Sequence, residues 1–245
     1  MTLPDTATES VSGSPRRRGR IALIVGLVII LAVVATAVGT EVYARKHYSQ
    51  CIAGQLDKSL GSKVSVHFGA KPLLLTYFDK KVGSVTVDSD DAQFGPAIGM
   101  KVRATLHDIT IKGSNATVGS SDANANWSDD GIAQTLNGLV SGVQSNPSAG
   151  TLEVRALGGL AGLQLRPHIV GNQIQVDTVN ANLLGFGLPT DLVDGIVKTM
   201  SQSLQAYPLD MKPTSVTVTD SGIDVGLTGG ATTLQSDSNA NNVSC

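Results

Sequence analysis

An uncharged apolar run, Ile21–Thr40, separates a polar head from a long body in which apolar positions recur with helical and strand periods. At about 1.5 Å per residue, a helix of this length crosses the roughly 30 Å hydrocarbon core of a bilayer. No face of the run carries a polar stripe, which argues against a core helix of a soluble domain. Arg16, Arg17, Arg18 and Arg20 precede it and Glu41 closes it. Basic residues stay on the cytoplasmic side, so residues 41–245 are expected on the extracytoplasmic side. Ala35-Thr36-Ala37 also matches a small-x-small cleavage pattern. Two outcomes follow: a single-pass anchor retained in the plasma membrane, or secretion after cleavage at Ala37. Residues 1–20 are rich in Ser, Thr and Pro, bury too little apolar surface to fold, and are expected to form a disordered cytoplasmic segment.

Beyond the run, Ala44, Tyr48, Ile52, Leu56 and Leu60 recur every four residues and predict a helix from about Glu41 to Leu60, stopped by Gly61. Val64–Phe68 alternates as a strand. Strands are predicted again at Ser84–Asp88, Lys101–Ile111 and Ala116–Trp127. In the second of these, the apolar phase changes after Leu106, and a bulge near His107-Asp108 would restore one buried face. Ser128 followed by Asp129-Asp130 is a helix start, with a capping hydroxyl and acids on the positive end of the dipole. Ile132, Leu136, Leu139, Val140 and Val143 predict that this helix continues to Asn146-Pro147. Thr151–Leu157 reads as a strand, and Gly162–Val170 with Gln173–Val179 as a hairpin through Gly171-Asn172. Leu192, Ile196, Met200 and Leu204 form the stripe of a helix over about Thr190–Ala206. A final hairpin, Ser215–Asp220 with Ile223–Leu227, turns at Asp220-Ser221-Gly222, and a polar tail follows. Short turns between successive strands predict an α+β fold with a mainly antiparallel sheet packed around amphipathic helices. The domain organisation is therefore a head (1–20), an anchor or signal (21–40), an exported domain (41–230) and a tail (231–245).

Charge and cysteines narrow the function. Removing the four N-terminal arginines and the two acids before position 20 from 18 basic and 20 acidic residues leaves 14 against 18. That mild acidity argues against a nucleic-acid partner. The cysteines are Cys51 and Cys245, and in an exported chain an even count favours a disulfide between them. Chain-entropy arguments put its contribution at up to about 5 kcal/mol; the alternative is two free thiols.

Catalytic signatures are absent from the sequence. His47, His67, His107 and His168 are each alone in their segments, with no metal-ligand spacing and no C-x-x-C or G-x-S-x-G pattern. Asp88, Asp90 and Asp91 lack the Gly and terminal Glu of a Ca²⁺ loop and read as a solvated turn. No metal, no cofactor and no enzymatic activity are expected. Gly158, Gly159, Gly162, Gly185 and Gly187 sit within apolar runs, where glycine marks either sharp bending or ordinary turns. Leu73–Phe78 is the densest short apolar run in the body, flanked by Lys71, Lys80 and Lys81. It is either an interfacial element with lysines at anionic headgroups or a buried turn of helix.

The segments KPLLLTYFDKKVGSVTVD, HDITIKG, WSDDGIAQTLN and LPTDLVDGIVKTM, with YPLDMKPTSVTVTDSGIDVGLTG after them, resemble the LmeA-like family of phospholipid-binding proteins of the actinobacterial cell envelope. The resemblance covers about Gln50–Gly230. It implies a fold like that of tubular lipid-binding domains, a phospholipid or other acyl-chain ligand, contact with the membrane, and a supporting role in envelope lipid or lipoglycan maintenance. It supplies no motif of polar binding residues. The expected site is therefore inferred from the apolar stripes: a cleft lined by Leu73, Leu74, Tyr77, Phe78, Ile132, Leu136, Ile196 and Met200, with Lys80 and Lys81 near a phosphate. The competing reading is a scaffold that stabilises an envelope biosynthesis enzyme without carrying lipid.

Overall fold

The computed structural model of the chain describes residues 15–60, 62–113, 115–183, 189–205 and 207–234. They fall in two compact units, Met1–Tyr43 and Ala44–Cys245. Helix α1 (Pro15–Leu60) contains the apolar run. It starts at Pro15, earlier than the run itself, because proline suits the first helical position and arginines extend a helix at little cost. Of the predicted disordered head, Pro15–Arg20 is thus helical and residues 1–14 lie outside the described residues. Leu27–Gly54 is long and apolar enough to cross a membrane. Its side chains from Leu27 to Val38 stand exposed on all sides. That fits a membrane anchor or a signal sequence.

The second unit is α+β, with two antiparallel sheets that do not close. Strands β1 (Lys63–Phe68), β2 (Lys81–Phe94), β3 (Ala97–Lys112), β4 (Asn115–Val118) and β5 (Ser120–Ser128) precede a short helix, α3 (Asp129–Thr135); helix α2 (Leu73–Asp79) lies between β1 and β2. Strands β6 (Val140–Asn146), β7 (Thr151–Ala156), β8 (Ala161–Val170) and β9 (Gln173–Leu183) follow, then helix α4 (Thr190–Leu204) and strands β10 (Lys212–Thr219), β11 (Gly222–Gly229) and β12 (Thr232–Leu234). The large sheet runs β1-β2-β3-β5-β11-β10, with β4 and β12 paired beside β3; the small sheet runs β6-β7-β8-β9. Both predicted hairpins form, Val170 opposite Gln173 and Thr219 opposite Gly222.

One contiguous core joins both sheets and the helices α3 and α4. The small sheet buries Leu152, Val154, Leu163, Leu165, Ile174 and Val176 and turns polar residues such as Glu153, Gln164 and Gln175 the other way, the pattern of a one-sided antiparallel sheet. From the large sheet, Met100, Ala123, Trp127, Ile223 and Val225 enter the same core. The α4 stripe is placed as its spacing predicts, with Ile196, Met200 and Leu204 buried. Each such side chain contributes about 1.5–3 kcal/mol on full burial.

Three sequence expectations change, and the glycine readings are resolved. The helix after Ser128 ends at Thr135 and does not reach Asn146; Gly138, at φ 84°, turns the chain, and Val140–Asn146 pairs as β6. The acidic turn Asp88–Asp91 lies instead within β2, where Asp88 pairs with Arg103 and Asp91, at φ 68°, accompanies a register shift between Ser89 and Ala92. No bulge interrupts β3 at His107-Asp108. Ser84 opposes His107 and Val82 opposes Ile109 without a shift, and the phase changes because Asp108 adopts φ 52°. Its neighbour Gly119 leaves the space: a Cβ there would lie 2.9 Å from the Asp108 Cβ. Finally, Gly158 and Gly159 turn the chain at positive φ, whereas Gly162 sits in β8 with open space beside it. Gly185 and Gly187 lie outside the described residues. So does Cys245, and with it the expected bridge to Cys51. Of the predicted tail, Thr232–Leu234 pairs with β4.

The two sheets are joined at α3. Ser128 Oγ accepts the Gly131 N–H at 3.1 Å and caps the helix. Asp129 accepts both the Ser145 N–H (3.0 Å) and its hydroxyl (2.6 Å), linking the end of β5 to β6. Trp127, fully buried, donates its indole N–H to Ile98 O at 3.0 Å. Replacing Asp129 with Ala removes the acceptor of two bonds at this junction. Chemical denaturation is expected to show a loss of about 1–3 kcal/mol, and Ser128→Ala a smaller one of about 1 kcal/mol.

Candidate functional site

Register fixes which residues share the inner face of the large sheet, because directly opposed residues point the same way. Met100, Trp127 and Ile223 form one row across the strands, and Val102, Ala125 and Val225 the next. Val66, Val87, Ala104, Ala123 and Leu227 form a third row; Phe68, Val85, Leu106 and Ser121 form a fourth. In the middle of these rows the side chains are small. Where α4 ends over them, a half-open apolar cleft remains, lined by Met100, Val102, Ala123, Ala125, Ser203, Leu204, Tyr207, Pro208, Val225 and Leu227. Its enclosed volume is about 40 Å³. That is far smaller than a small-molecule site, so the cleft is nearly shut.

Beyond the cleft the apolar face continues. Val87, Ala104, Val85, Leu106 and Phe68 are all only half-buried. The face ends near Ser121, whose hydroxyl is buried and has no hydrogen-bond partner among the described residues.

The cleft mouth is pinned by polar bonds to β9. Tyr207 Oη accepts the Ile174 N–H at 2.9 Å, and Gln205 Nε2 donates to Ile174 O at 3.0 Å. Burial raises the Tyr207 phenol above its usual 10.0, partly opposed by the bond from Ile174. Leu209 and Asp210 follow at φ 55° and 54°, a conformation that is strained for a leucine.

The expected site residues separate into two groups. Ile132, Leu136, Ile196 and Met200 lie together, fully buried, in the common core. Leu73, Leu74, Tyr77 and Phe78 lie on α2, outside that core, with Lys80 and Lys81 after them. The cleft and α2 are at opposite ends of β3: Lys80 O accepts the Ile111 N–H, nine residues from Val102, or up to about 30 Å along the strand. Leu73–Phe78 is a helix, but no residue of it is buried, which overturns the buried-turn alternative. The strand residues of the cleft were missed. Alternating Val and Ala at 102, 104, 123 and 125 was the available signal, but only cross-strand register groups them.

α2 is built on a polar base. Arg45 donates to Phe68 O (3.1 Å), Gly69 O (2.8 Å) and Lys71 O (2.8 Å), fixing the turn before the helix. Lys71 Nζ bonds Asp79 Oδ2 (2.5 Å) and Lys81 O (2.7 Å), and Asp79 Oδ1 accepts the Lys81 N–H (2.9 Å). The bond from Lys71, and then the one from Lys81, hold the Asp79 carboxyl below its usual 3.8. This staple is present above that value and is lost as pH falls through the lowered one.

Three strand histidines face aspartates on neighbouring strands: His107 with Asp122 at 2.7 Å, His168 with Asp177 at 3.7 Å and His67 with Asp88 at 4.0 Å. Among the described residues no three metal-ligating side chains cluster.

The model of a family described as LmeA-like phospholipid-binding matches residues 35–228. Uncharacterized proteins of Mycobacterium bovis and of two strains of Mycobacterium tuberculosis are each 30% identical over 224 residues, covering 85% of this chain and 64% of theirs. The chain therefore spans a little under two thirds of those relatives' length. No solved structure matches it.

Two outcomes test the pinned mouth. Tyr207→Phe leaves the Ile174 N–H without its acceptor and is expected to cost about 1 kcal/mol in chemical denaturation. Because folding raises the phenol's pKa, wild-type stability is unaffected by this group below pH 10 and falls as pH rises past it. Melting curves between neutral pH and pH 11 should show that fall, and Tyr207→Phe should flatten it.

Proposed function

The chain belongs to the LmeA-like phospholipid-binding family, and on that premise we propose that it is a membrane-anchored, extracytoplasmic phospholipid-binding protein that supports envelope lipid or lipoglycan maintenance. The observation that carries this reading is the apolar cleft between α4 and the floor of small residues on the large sheet. Acyl chains lie across Val102, Ala123 and Ala125 under Leu204, and the α4 stripe of Ile196 and Met200 backs the cleft from the core. Entry requires α4 and the Tyr207–Asp210 segment to move off the sheet, since the closed cleft is narrower than a chain. The protein binds lipid without chemical turnover. Ile21–Thr40 serves as the retained anchor, and Cys51 pairs with Cys245, closing the exported domain; native protein should then resist alkylation until reduced.

The narrowness of the closed cleft favours one second reading, a scaffold for an envelope enzyme. Lipid extraction and native mass spectrometry of the purified full chain separate the two. Bound phospholipid is expected. Ala125→Phe fills the floor, at a stability cost of about 1–3 kcal/mol, and should lower bound lipid at least severalfold in folded protein. Lipid-free protein that takes up no labelled phospholipid sinks the lipid-binding reading.

A further inference from the structure

Apart from the apolar helix α1, the most exposed large apolar side chains among the described residues are Phe78 (81%) and Tyr77 (75%), both on α2. Leu75 is half exposed on the same helix, and Ile111 lies beside it through its bond to Lys80 O. Such a patch costs free energy in water, and here a dedicated framework holds it out. Arg45 spends its guanidinium on three carbonyls at the base, and the Lys71–Asp79–Lys81 staple closes the helix. The two rings pack edge to face, with centroids 5.6 Å apart, and Lys80 Nζ stands 4.8 Å from the Tyr77 ring centroid. The tip is thus rigid, aromatic and cationic.

We propose that α2 is a membrane-docking tip for a bilayer surface that contains anionic lipid. Leu75, Tyr77 and Phe78 enter the boundary between headgroups and acyl chains, and Lys80 and Lys81 meet the phosphates. Charge selects this occupant. Asp79 is neutralised by Lys71, which leaves Lys80 and Lys81 as the charges beside the aromatic pair in a chain of net charge −2. A two-fold contact with a second copy would set these lysines against their own counterparts. The position in the fold agrees: α2 joins β1 to β2 at the Phe68 end of the sheet, where the half-buried apolar rows that lead to the cleft begin. Docking does not require the cleft to be loaded, so it stands or falls separately from the lipid-binding reading.

The test uses the full chain, at one and at two copies per nanodisc, in phosphatidylcholine alone or with phosphatidylglycerol. Wild-type emission reports the single, fully buried Trp127 and serves as background for F78W. In anionic discs, F78W emission should shift to the blue and be quenched by brominated acyl chains. In neutral discs, and in F78W combined with K80E and K81E, quenching should fall about tenfold or more. An exposed, unquenched indole in both disc types overturns the proposal. So does equal quenching with and without the lysines, or a shift that follows the number of protein copies per disc and not the lipid charge. Phospholipid retained by the detergent-purified full chain, before disc assembly, reports the cleft independently.

Discussion

The geometry of the second unit depends on the junction around Trp127. Its ring fills the centre of the common core while its N–H satisfies a carbonyl at the start of β3, so the largest side chain in the chain is buried without an orphaned polar group. The next residues, Ser128 and Asp129, cap α3 and bond β6. One short segment thereby ends β5, starts a helix and positions the small sheet. Gly131 and Gly222 make the close approach feasible. A Cβ on Gly131 would lie 2.9 Å from Ile98 O, and one on Gly222 would lie 2.2 Å from Trp127 O. Neither position tolerates a side chain unless α3 moves off β3 or β11 moves off β5.

With the sheets fixed there, packing loosens in the adjoining rows under the end of α4. α4 seals the core through Ile196 and Met200, but its last turn rests on alanines and valines that do not fill the space beneath it. Small floor residues cost packing contacts, yet they leave a surface that loses little when an apolar guest replaces the helix end. Under the proposed function, the bonds of Tyr207 and Gln205 to Ile174 set how readily that end lifts. Both are single hydrogen bonds of modest net worth, suited to a closure that opens without unfolding the domain.

Much of this architecture was legible locally. The α4 stripe, both hairpins and the Ser128 cap each rest on chemistry within a few residues. The failures share a cause. Leu139, Val140 and Val143 fit a helical period, but Asn137-Gly138 breaks the helix and the strand partner of Val140 lies in β7. The phase change in β3 suggested an inserted residue, whereas the chain uses a left-handed Asp108 against Gly119, a solution that needs knowledge of the neighbouring strand. The apolar run Leu73–Phe78 gave its helix but not its exposure, since composition alone does not say whether another element covers it. The cleft was least legible. Its residues come from β3, β5, β11 and α4, and only long-range register brings an alanine from one strand beside a valine from another.

Those registered rows also define a length. From Met100 to Leu106, six residues along β3 span about 20 Å. One leaflet of a bilayer offers roughly half of a 30 Å hydrocarbon core, or about 15 Å. Under the proposed function, the inner face of the large sheet is a ruler for a single acyl chain, closed at one end by the Trp127 ring and marked at the other by the Ser121 hydroxyl. Selection among lipids would then follow how many carbons fit between an aromatic wall and a polar stop.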